Sequence, residues 1–292
     1  MARCLVTGHK GYIGSSVYKE LEDRGHEVIG IDLKDGDDIL DIFGPKFSNS
    51  GKTKWHEFQP EYIFHLAAIP RVVYSIENPI EVVENNVLSA LYILEFARSI
   101  GAKRVIYSSS SSVLGNGLGP ENPYGASKYM PESLCGVWSR LYNIDTVCLR
   151  YFNVYSPDQR AEGPYATAIA NWMQYIRESK NPFITGTGEQ SRDMAHKLDV
   201  VSANLFCMES ETNFNGSWYD VGTGTNISLN NVKNIVHSFF PHVIFDYVKE
   251  REGDVMYTKA NIEPLQELGW EPRYNISDGI SECFSILRDE LS

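Results

Sequence analysis

Thr7-Gly8-His9-Lys10-Gly11-Tyr12-Ile13-Gly14 is the stretch on which the fold turns. It follows the short apolar run Arg3–Thr7 and opens an amphipathic segment, Gly14–Arg24. Gly8 suits a sharp turn, Gly11 a close approach of backbone to a pyrophosphate, and Gly14 the packing of a helix onto a strand. The N–H groups at the helix start then face the phosphates. An ordinary strand-to-helix connection also uses glycine, so the loop needs context. Asp32 supplies it by ending the next strand, Glu27–Asp32. A carboxylate there accepts hydrogen bonds from an adenosine ribose and repels a 2′-phosphate, which favours NAD over NADP.

Outward from this unit, short strands alternate with longer helices. Tyr62–Ala67, Arg104–Ser109 and Thr146–Arg150 read as strands, and Pro79–Ile100 and Tyr124–Tyr142 as helices. The strands are apolar throughout, as expected when helices cover both faces of a parallel sheet. The fold class is therefore α/β, a Rossmann-type doubly wound parallel sheet with a smaller mixed α/β lobe. Residues 1–155 form the dinucleotide-binding part. Residues 156–292 form mainly the second lobe, with some segments returning to the Rossmann sheet. In that lobe Pro164–Lys180, Asp199–Glu209, Leu229–Phe239, Ile262–Leu268 and Asp278–Asp289 read as helices, and Asn181–Thr187 and Trp218–Val221 as strands. A catalytic cleft is expected between the lobes, at the carboxyl ends of the strands.

The formal charge of −12 argues against nucleic acid as a partner. It leaves room for a small anion held by a few arginines. No apolar run reaches bilayer length, and Met1–Val6 leads into the Gly-rich turn rather than a cleavage region, so no membrane partner or signal peptide is expected. Five scattered cysteines without a CxxC pair suit neither a disulfide framework nor a metal site, and point to a reducing, cytoplasmic setting.

Tyr124-Gly125-Ala126-Ser127-Lys128 places a phenol and an ammonium at i and i+4, on one face of a helix. A free phenol, with a pKa of about 10, is a poor base at neutral pH. A neighbouring positive charge favours the phenolate. Chance pairs of this spacing are common. This one follows Tyr107-Ser108-Ser109-Ser110-Ser111-Ser112-Val113-Leu114-Gly115, a strand end able to set a hydroxyl beside the Tyr.

The Gly-x-x-Gly-x-x-Gly spacing resembles the extended short-chain dehydrogenase/reductases, a family of nucleotide-sugar epimerases, dehydratases and decarboxylases. The resemblance runs over nearly the whole chain. It implies Ser110, Tyr124 and Lys128 as the catalytic set, with Ser110 hydrogen-bonding the reacting sugar hydroxyl. It implies NAD at Gly8, Gly11, Tyr12, Ile13, Gly14 and Asp32, with Asp41-Ile42 bordering the adenine, a role for which Asp38-Ile39 also competes. His65-Leu66-Ala67-Ala68 looks like the motif whose small residues let the backbone pass the cofactor. Asn86 falls where the family ties down the strand-four backbone, and Ser108, Lys128 and Tyr151 join the cofactor group. Substrate is assigned to Ser110, Ser111, Asn153 and Thr167, to Arg192 and Arg251 as a diphosphate clamp, to Asp254 at the nucleotide ribose, and to Thr258.

Within the family, dehydratases carry an Asp-Glu pair after the catalytic Ser/Thr, decarboxylases a Glu and epimerase-reductases a Cys at the second position. This chain has Ser111 and Ser112. Without an added acid, base or thiol, simple epimerisation at C4 of a UDP-linked hexose is implied. A dehydratase or decarboxylase, a one-way reductase and a non-enzymatic NAD-binding scaffold remain alternatives. Thr258 replaces a bulky aromatic found in enzymes restricted to unacetylated sugars, which implies room for a 2-acetamido group. Leu114, the short Gly115–Pro123 loop and Met194–Asp199 depart from the family pattern. The resemblance also implies a homodimer built on Pro79–Ile100 and Tyr124–Tyr142.

Overall fold

The computed structural model describes residues 1–44, 52–161, 167–249 and 256–292. The chain divides into two compact units, Met1–Arg150 with Val201–Tyr219, and Tyr151–Val200 with Asp220–Ser292. In chain order the elements run β1 (Arg3–Thr7), α1 (Gly14–Asp23), β2 (Glu27–Ile31), α2 (Ile39–Phe43), α3 (Lys54–Phe58), β3 (Tyr62–His65), α4 (Val72–Glu77), α5 (Pro79–Ile100), β4 (Arg104–Ser110), α6 (Pro123–Tyr142) and β5 (Asp145–Tyr151). They continue as α7 (Ala168–Arg177), β6 (Phe183–Thr185), β7 (Ser191–Arg192), α8 (Lys197–Glu209), β8 (Ser217–Val221), β9 (Ile227–Ser228), α9 (Leu229–Phe239), β10 (Asp246–Val248), α10 (Glu263–Glu267) and α11 (Ile276–Leu291).

The six-stranded parallel sheet has the order β2-β1-β3-β4-β5-β8. From β1 the chain steps to one side for β2 and returns to the other for β3. The order therefore reverses between β1 and β3, where an open α/β sheet leaves a crevice. Cys4, Leu5, Val6, Ile63, Phe64, Val105 and Ile106 in the central strands are buried. That is why these strands read as continuous apolar runs. Ile93, Leu94, Phe96 and Ala97 of α5 share the core with Leu5, Ile63 and Val105.

Helix ends follow local chemistry. Pro79 opens α5, where its missing N–H costs nothing, and Gly101 closes it in the left-handed region at φ 69°. Asn122 caps α6, its side chain accepting the N–H of Gly125 at 2.9 Å, and Pro123 follows. The buried Arg104 guanidinium donates to Asp145 Oδ2 at 2.6 Å and to the carbonyls of Ser210 at 2.9 Å, Thr212 at 2.7 Å and Cys207. It binds the end of α8 to the sheet.

The second unit gathers Trp172 and Met173 of α7, Ile184 of β6, Val232 and Val236 of α9 and Ile280 and Phe284 of α11 into its own core. β6 pairs with β10 in parallel and β7 with β9 antiparallel. The helix expected from Pro164 is described only from Ala168, where Thr167 caps it by accepting the N–H of Ala170 at 3.3 Å; positions 164–166 lie outside the described residues. The expected strand Asn181–Thr187 shrinks to Phe183–Thr185, and Gly186 follows at φ 61°. β10 has no counterpart in the sequence reading, because all three of its residues are exposed and give no alternation.

Candidate active site

At the reversal between β1 and β3, backbone meets backbone. Gly8 has φ 70°, and a Cβ on it would lie 2.9 Å from the Ala67 nitrogen. A Cβ on Gly14 would lie 2.0 Å from the Gly8 carbonyl oxygen. The loop is therefore drawn tight, with Gly11 N–H donating to Gly8 O at 2.9 Å. Ile13 precedes α1, and no side chain caps that helix. Ser15 N–H donates to Gly11 O and Ser16 N–H to Ile13 O, each at 3.0 Å, so the helix grows directly out of the glycine loop.

Asp32 stands just beyond β2. Its two oxygens accept the N–H groups of Lys34 and Lys10, each at 2.9 Å. The same carboxylate thus fixes the glycine loop and starts a 3-10 turn at Leu33. Asp35 pairs with the Lys10 ammonium and lies 3.2 Å from His9 Nε2. Of the competing pairs after β2, Asp38 is the cap of α2, accepting the Leu40 N–H at 2.8 Å, and Ile39 and Ile42 are buried in the core. Asp41 lies exposed in the first turn of α2.

Tyr124 is the second residue of α6 and is buried; Lys128, one turn on, is buried as well. Burial pushes the Tyr124 phenol up, and its hydrogen bond with Ser110 acts the other way. Burial draws Lys128 down to about 7, while the nearby Glu132 carboxylate favours its ammonium form. Lys128 Nζ donates to Ser108 O at 2.8 Å. Ser110 ends β4, its hydroxyl 3.1 Å from that of Ser112, and Ser111 begins the turn that follows. The first unit thus brings together a phenol, an ammonium and a hydroxyl, the set needed to move a proton to and from an alcohol.

Asn86 needs a correction. Its amide does not hold the β4 backbone. It exchanges hydrogen bonds with Ile69, accepting N–H at 2.8 Å and donating to the carbonyl at 3.2 Å, and donates to Ser127 Oγ at 2.9 Å. It therefore joins the segment after β3 to α6, because Asn86 on α5 faces both. Leu66, Ala67 and Ala68 are half-buried. The Ala67 N–H donates to Thr7 Oγ1 at 3.1 Å, and Thr7 also meets His65 Nδ1 at 2.8 Å.

Residues missed in the sequence complete the arrangement. Glu132, one further turn along α6, accepts the Ser109 hydroxyl at 2.6 Å and a two-pronged contact from Arg150, Nε at 2.8 Å and Nη2 at 2.6 Å. The available signal was its i+4 spacing from Lys128. The short loop before Tyr124 is fastened by Glu121, which accepts from the Asn116 side chain at 2.8 Å.

The second unit holds a cavity of about 230 Å³ whose lining includes Asn153, Thr167, Asn171, Trp172, Gln190 and Arg192. Three of the expected substrate residues, Asn153, Thr167 and Arg192, are thereby brought together. Asn153, at φ 34°, donates to Asp193 O at 2.8 Å. The Asp193 carboxyl is pushed up by burial, yet it accepts Thr223 N–H, Thr223 Oγ1, Gly224 N–H and Ala260 N–H at 2.8 to 3.1 Å. It ties the end of β7, which carries Arg192, to the segment that follows Thr258 and to the turn after β8. The Thr258 backbone is paired on both sides, with Ser191 O and Asp193 N–H. Tyr151 is buried at the end of β5. Arg251 and Asp254 lie outside the described residues.

Residues 4–222 match the model of the NAD dependent epimerase/dehydratase family. A UDP-N-acetyl-alpha-D-glucosaminuronate decarboxylase of Bacillus cytotoxicus is 29% identical, with 98% of each chain covered. Among solved structures, the UDP-N-acetylglucosamine 4-epimerase of Methanobrevibacter ruminantium, in complex with UDP-N-acetylmuramic acid, is 28% identical with a TM-score of 0.86 over 99% of both chains. The UDP-glucuronic acid 4-epimerase of Bacillus cereus, in complex with UDP-glucuronic acid and NAD, is 26% identical with a TM-score of 0.83, covering 99% of this chain and 100% of its own.

Proposed function

The chain belongs to the NAD dependent epimerase/dehydratase family, and from that premise we propose that it is an NAD-dependent isomerase inverting C4 of a UDP-linked hexose through a transient 4-keto sugar. The sugar is glucose/galactose or an N-acetylamino form. The observation that carries this reading is buried Tyr124 one helical turn from buried Lys128, beside the end of β4 that carries Ser110, with Ser111 and Ser112 where the lyases of the family carry acids.

The first unit fits a dinucleotide. Gly8 and Gly14 admit no side chain, α1 begins without a side-chain cap, and Asp32 sits beyond the neighbouring strand. Gly8, Gly11, Tyr12, Ile13 and Gly14 would hold its diphosphate, Asp32 its ribose, Asp41 and Ile42 its adenine end, and Leu66, Ala67, Ala68, Ser108 and Tyr151 its remainder, with Asn86 in support. Bound NAD supplies the acceptor, and then the donor, of the C4 hydrogen. Tyr124 takes the proton of the 4-hydroxyl and gives it back, and Ser110 aligns that hydroxyl alongside Ser111. The Lys128 ammonium offsets the phenolate charge.

On the substrate side, Asn153, Thr167 and Arg192 are placed to take the nucleotide diphosphate, with Arg251 and Asp254 assigned by motif alone. A guanidinium suits that role because it offers two donors to phosphate oxygens. Holding the diphosphate firmly and the sugar loosely lets the keto sugar turn between the two half-reactions. Thr258 leaves space for a 2-acetamido group.

The reading includes a cytoplasmic homodimer. Its support is the exposed Ile80 of α5 and Tyr129 and Met130 of α6, apolar side chains on the two helices expected to pair. Among the described residues no helix is long and apolar enough to cross a membrane. The test is to incubate purified, NAD-loaded protein with UDP-glucose, UDP-N-acetylglucosamine and UDP-glucuronic acid and to resolve products by mass and stereochemistry. A C4 epimer of unchanged mass is expected. Loss of water or carbon dioxide, or no turnover with NAD bound, overturns the reading.

A further inference from the structure

Tyr124, Lys128 and Glu132 recur every four residues along one face of α6. Their partners are three consecutive residues at the end of β4. The Ser110 hydroxyl lies beside the Tyr124 phenol and favours its phenolate, the Ser108 carbonyl accepts Lys128 at 2.8 Å, and the Ser109 hydroxyl donates to Glu132 at 2.6 Å. We propose that Glu132 is a positioning residue for this group: anchored by Arg150, its carboxylate holds the Ser109 hydroxyl and thereby the stretch of β4 that offers Ser108 O to Lys128 and the Ser110 hydroxyl to Tyr124. The inference rests on the reading of Ser110 and Tyr124 as the proton-transfer pair.

Stability alone does not account for the Glu132–Arg150 pair. Both groups are buried, at 7% and 4% exposure. Desolvating two charges commonly cancels their attraction, and apolar replacements of such pairs are often as stable. What the pair adds here is direction. Arg150 takes both carboxylate oxygens and its other face lies 3.7 Å from the Trp218 ring centre, so the carboxylate has one orientation. The Ser109 hydroxyl thus ties β4 to the helix that carries Tyr124 and Lys128, one residue before Ser110. The charged and titratable groups around this point are Tyr124 and Lys128 on α6, Tyr107 on β4, Cys148 and Arg150 on β5, and His65 on β3, which faces Lys128.

Ser109→Ala tests the idea because it removes the link without changing any charge. In ligand-free protein, the Tyr124 phenol is titrated by ultraviolet difference, each protein against its own Tyr124→Phe form. With Ser110 released, its downward pull is lost and the Tyr124 midpoint should rise. In the NAD-loaded enzyme kcat should fall about tenfold to a hundredfold, with KM within about twofold because the nucleotide contacts are untouched. Glu132→Gln with Arg150→Met should lower kcat to a similar degree, and adding Ser109→Ala should cost nothing further. If the charge-removed pair does not fold, Ser109→Ala decides alone. An unmoved Tyr124 midpoint with wild-type kcat in Ser109→Ala, or losses that multiply between the variants, overturns the inference. A wild-type chain that epimerises no UDP-sugar overturns the functional reading instead, while the ligand-free titration still decides this one.

Discussion

The Ser75 hydroxyl accepts the backbone N–H of Tyr124 at 3.0 Å, from a side chain with no exposed surface. Tyr124 sits in the first turn of α6, where an N–H has no acceptor within its own helix. α4 supplies that acceptor, and Ser75 is itself held by donating to Val72 O at 2.6 Å. On the other side, the Tyr124 carbonyl accepts the Ser127 hydroxyl at 2.8 Å, and Ser127 is held by Asn86. Tyr124 is thus clamped by its main chain at both ends.

Ser75→Ala should therefore cost stability and rate together. It leaves a buried N–H unpaired, worth about 1–3 kcal/mol, and loosens the start of α6. Urea unfolding should show that loss and steady-state kinetics a lower kcat, with KM for the UDP-sugar nearly unchanged. A wild-type unfolding midpoint would show that the contact contributes nothing.

Lys128 should give a readable pH dependence in the absence of ligand. Burial draws its folded-state pKa down to about 7, while an unfolded lysine titrates near 10.4. Between these values the unfolded chain holds a proton that the folded chain has released, so stability rises with pH across the window. Below about 7 the folded chain bears the full cost of a buried charge. Lys128→Met removes that contribution. Unfolding measured from pH 7 to 10 should show wild type gaining on the variant, and parallel curves would exclude it.

How much of this was legible in the sequence depends on whether a residue's partner is local. Gly14 and the Tyr124–Lys128 pair act within one loop or one turn, so their spacing shows once the neighbouring strand ends give it context. Ser75 owes its role to the backbone N–H of Tyr124, 49 positions away, and Arg150 to the Glu132 carboxylate, 18 positions away, and neither partner is local. Asn86 was found but given the wrong partner, because its position on α5 does not say which segment lies opposite. Short helices α2, α3 and α4 were missed because five or six residues carry little of a 3.6-residue period, although α10, equally short, was read within Ile262–Leu268.

Arg104 should be the most costly single cation in the first unit to remove. Its guanidinium is buried and serves Asp145 and three carbonyl groups of the segment that ends α8. Arg104→Met leaves the Asp145 carboxylate with the Asn215 N–H alone and removes the guanidinium from those carbonyls, at a cost of about 3–5 kcal/mol. Thermal unfolding should show a large drop, while the molecules that remain folded at low temperature keep their NAD. A variant melting within a degree or two of wild type would mean that water replaces the arginine at no cost.

Gly14→Ala and Gly25→Ala add the same methyl group and should fail differently. At Gly14 the new Cβ would lie 2.0 Å from Gly8 O, so the loop must open where the dinucleotide phosphates are expected. At Gly25 nothing lies within 4 Å, and the only penalty is its φ of 79°, a strain of about 1–2 kcal/mol. Gly14→Ala should purify with NAD content reduced at least about tenfold, one decade being about 1.4 kcal/mol of binding. Gly25→Ala should keep its NAD and lose only stability. Full NAD occupancy in Gly14→Ala would detach the glycine loop from cofactor binding, because a loop forced off Gly8 cannot keep the close backbone approach that a pyrophosphate requires.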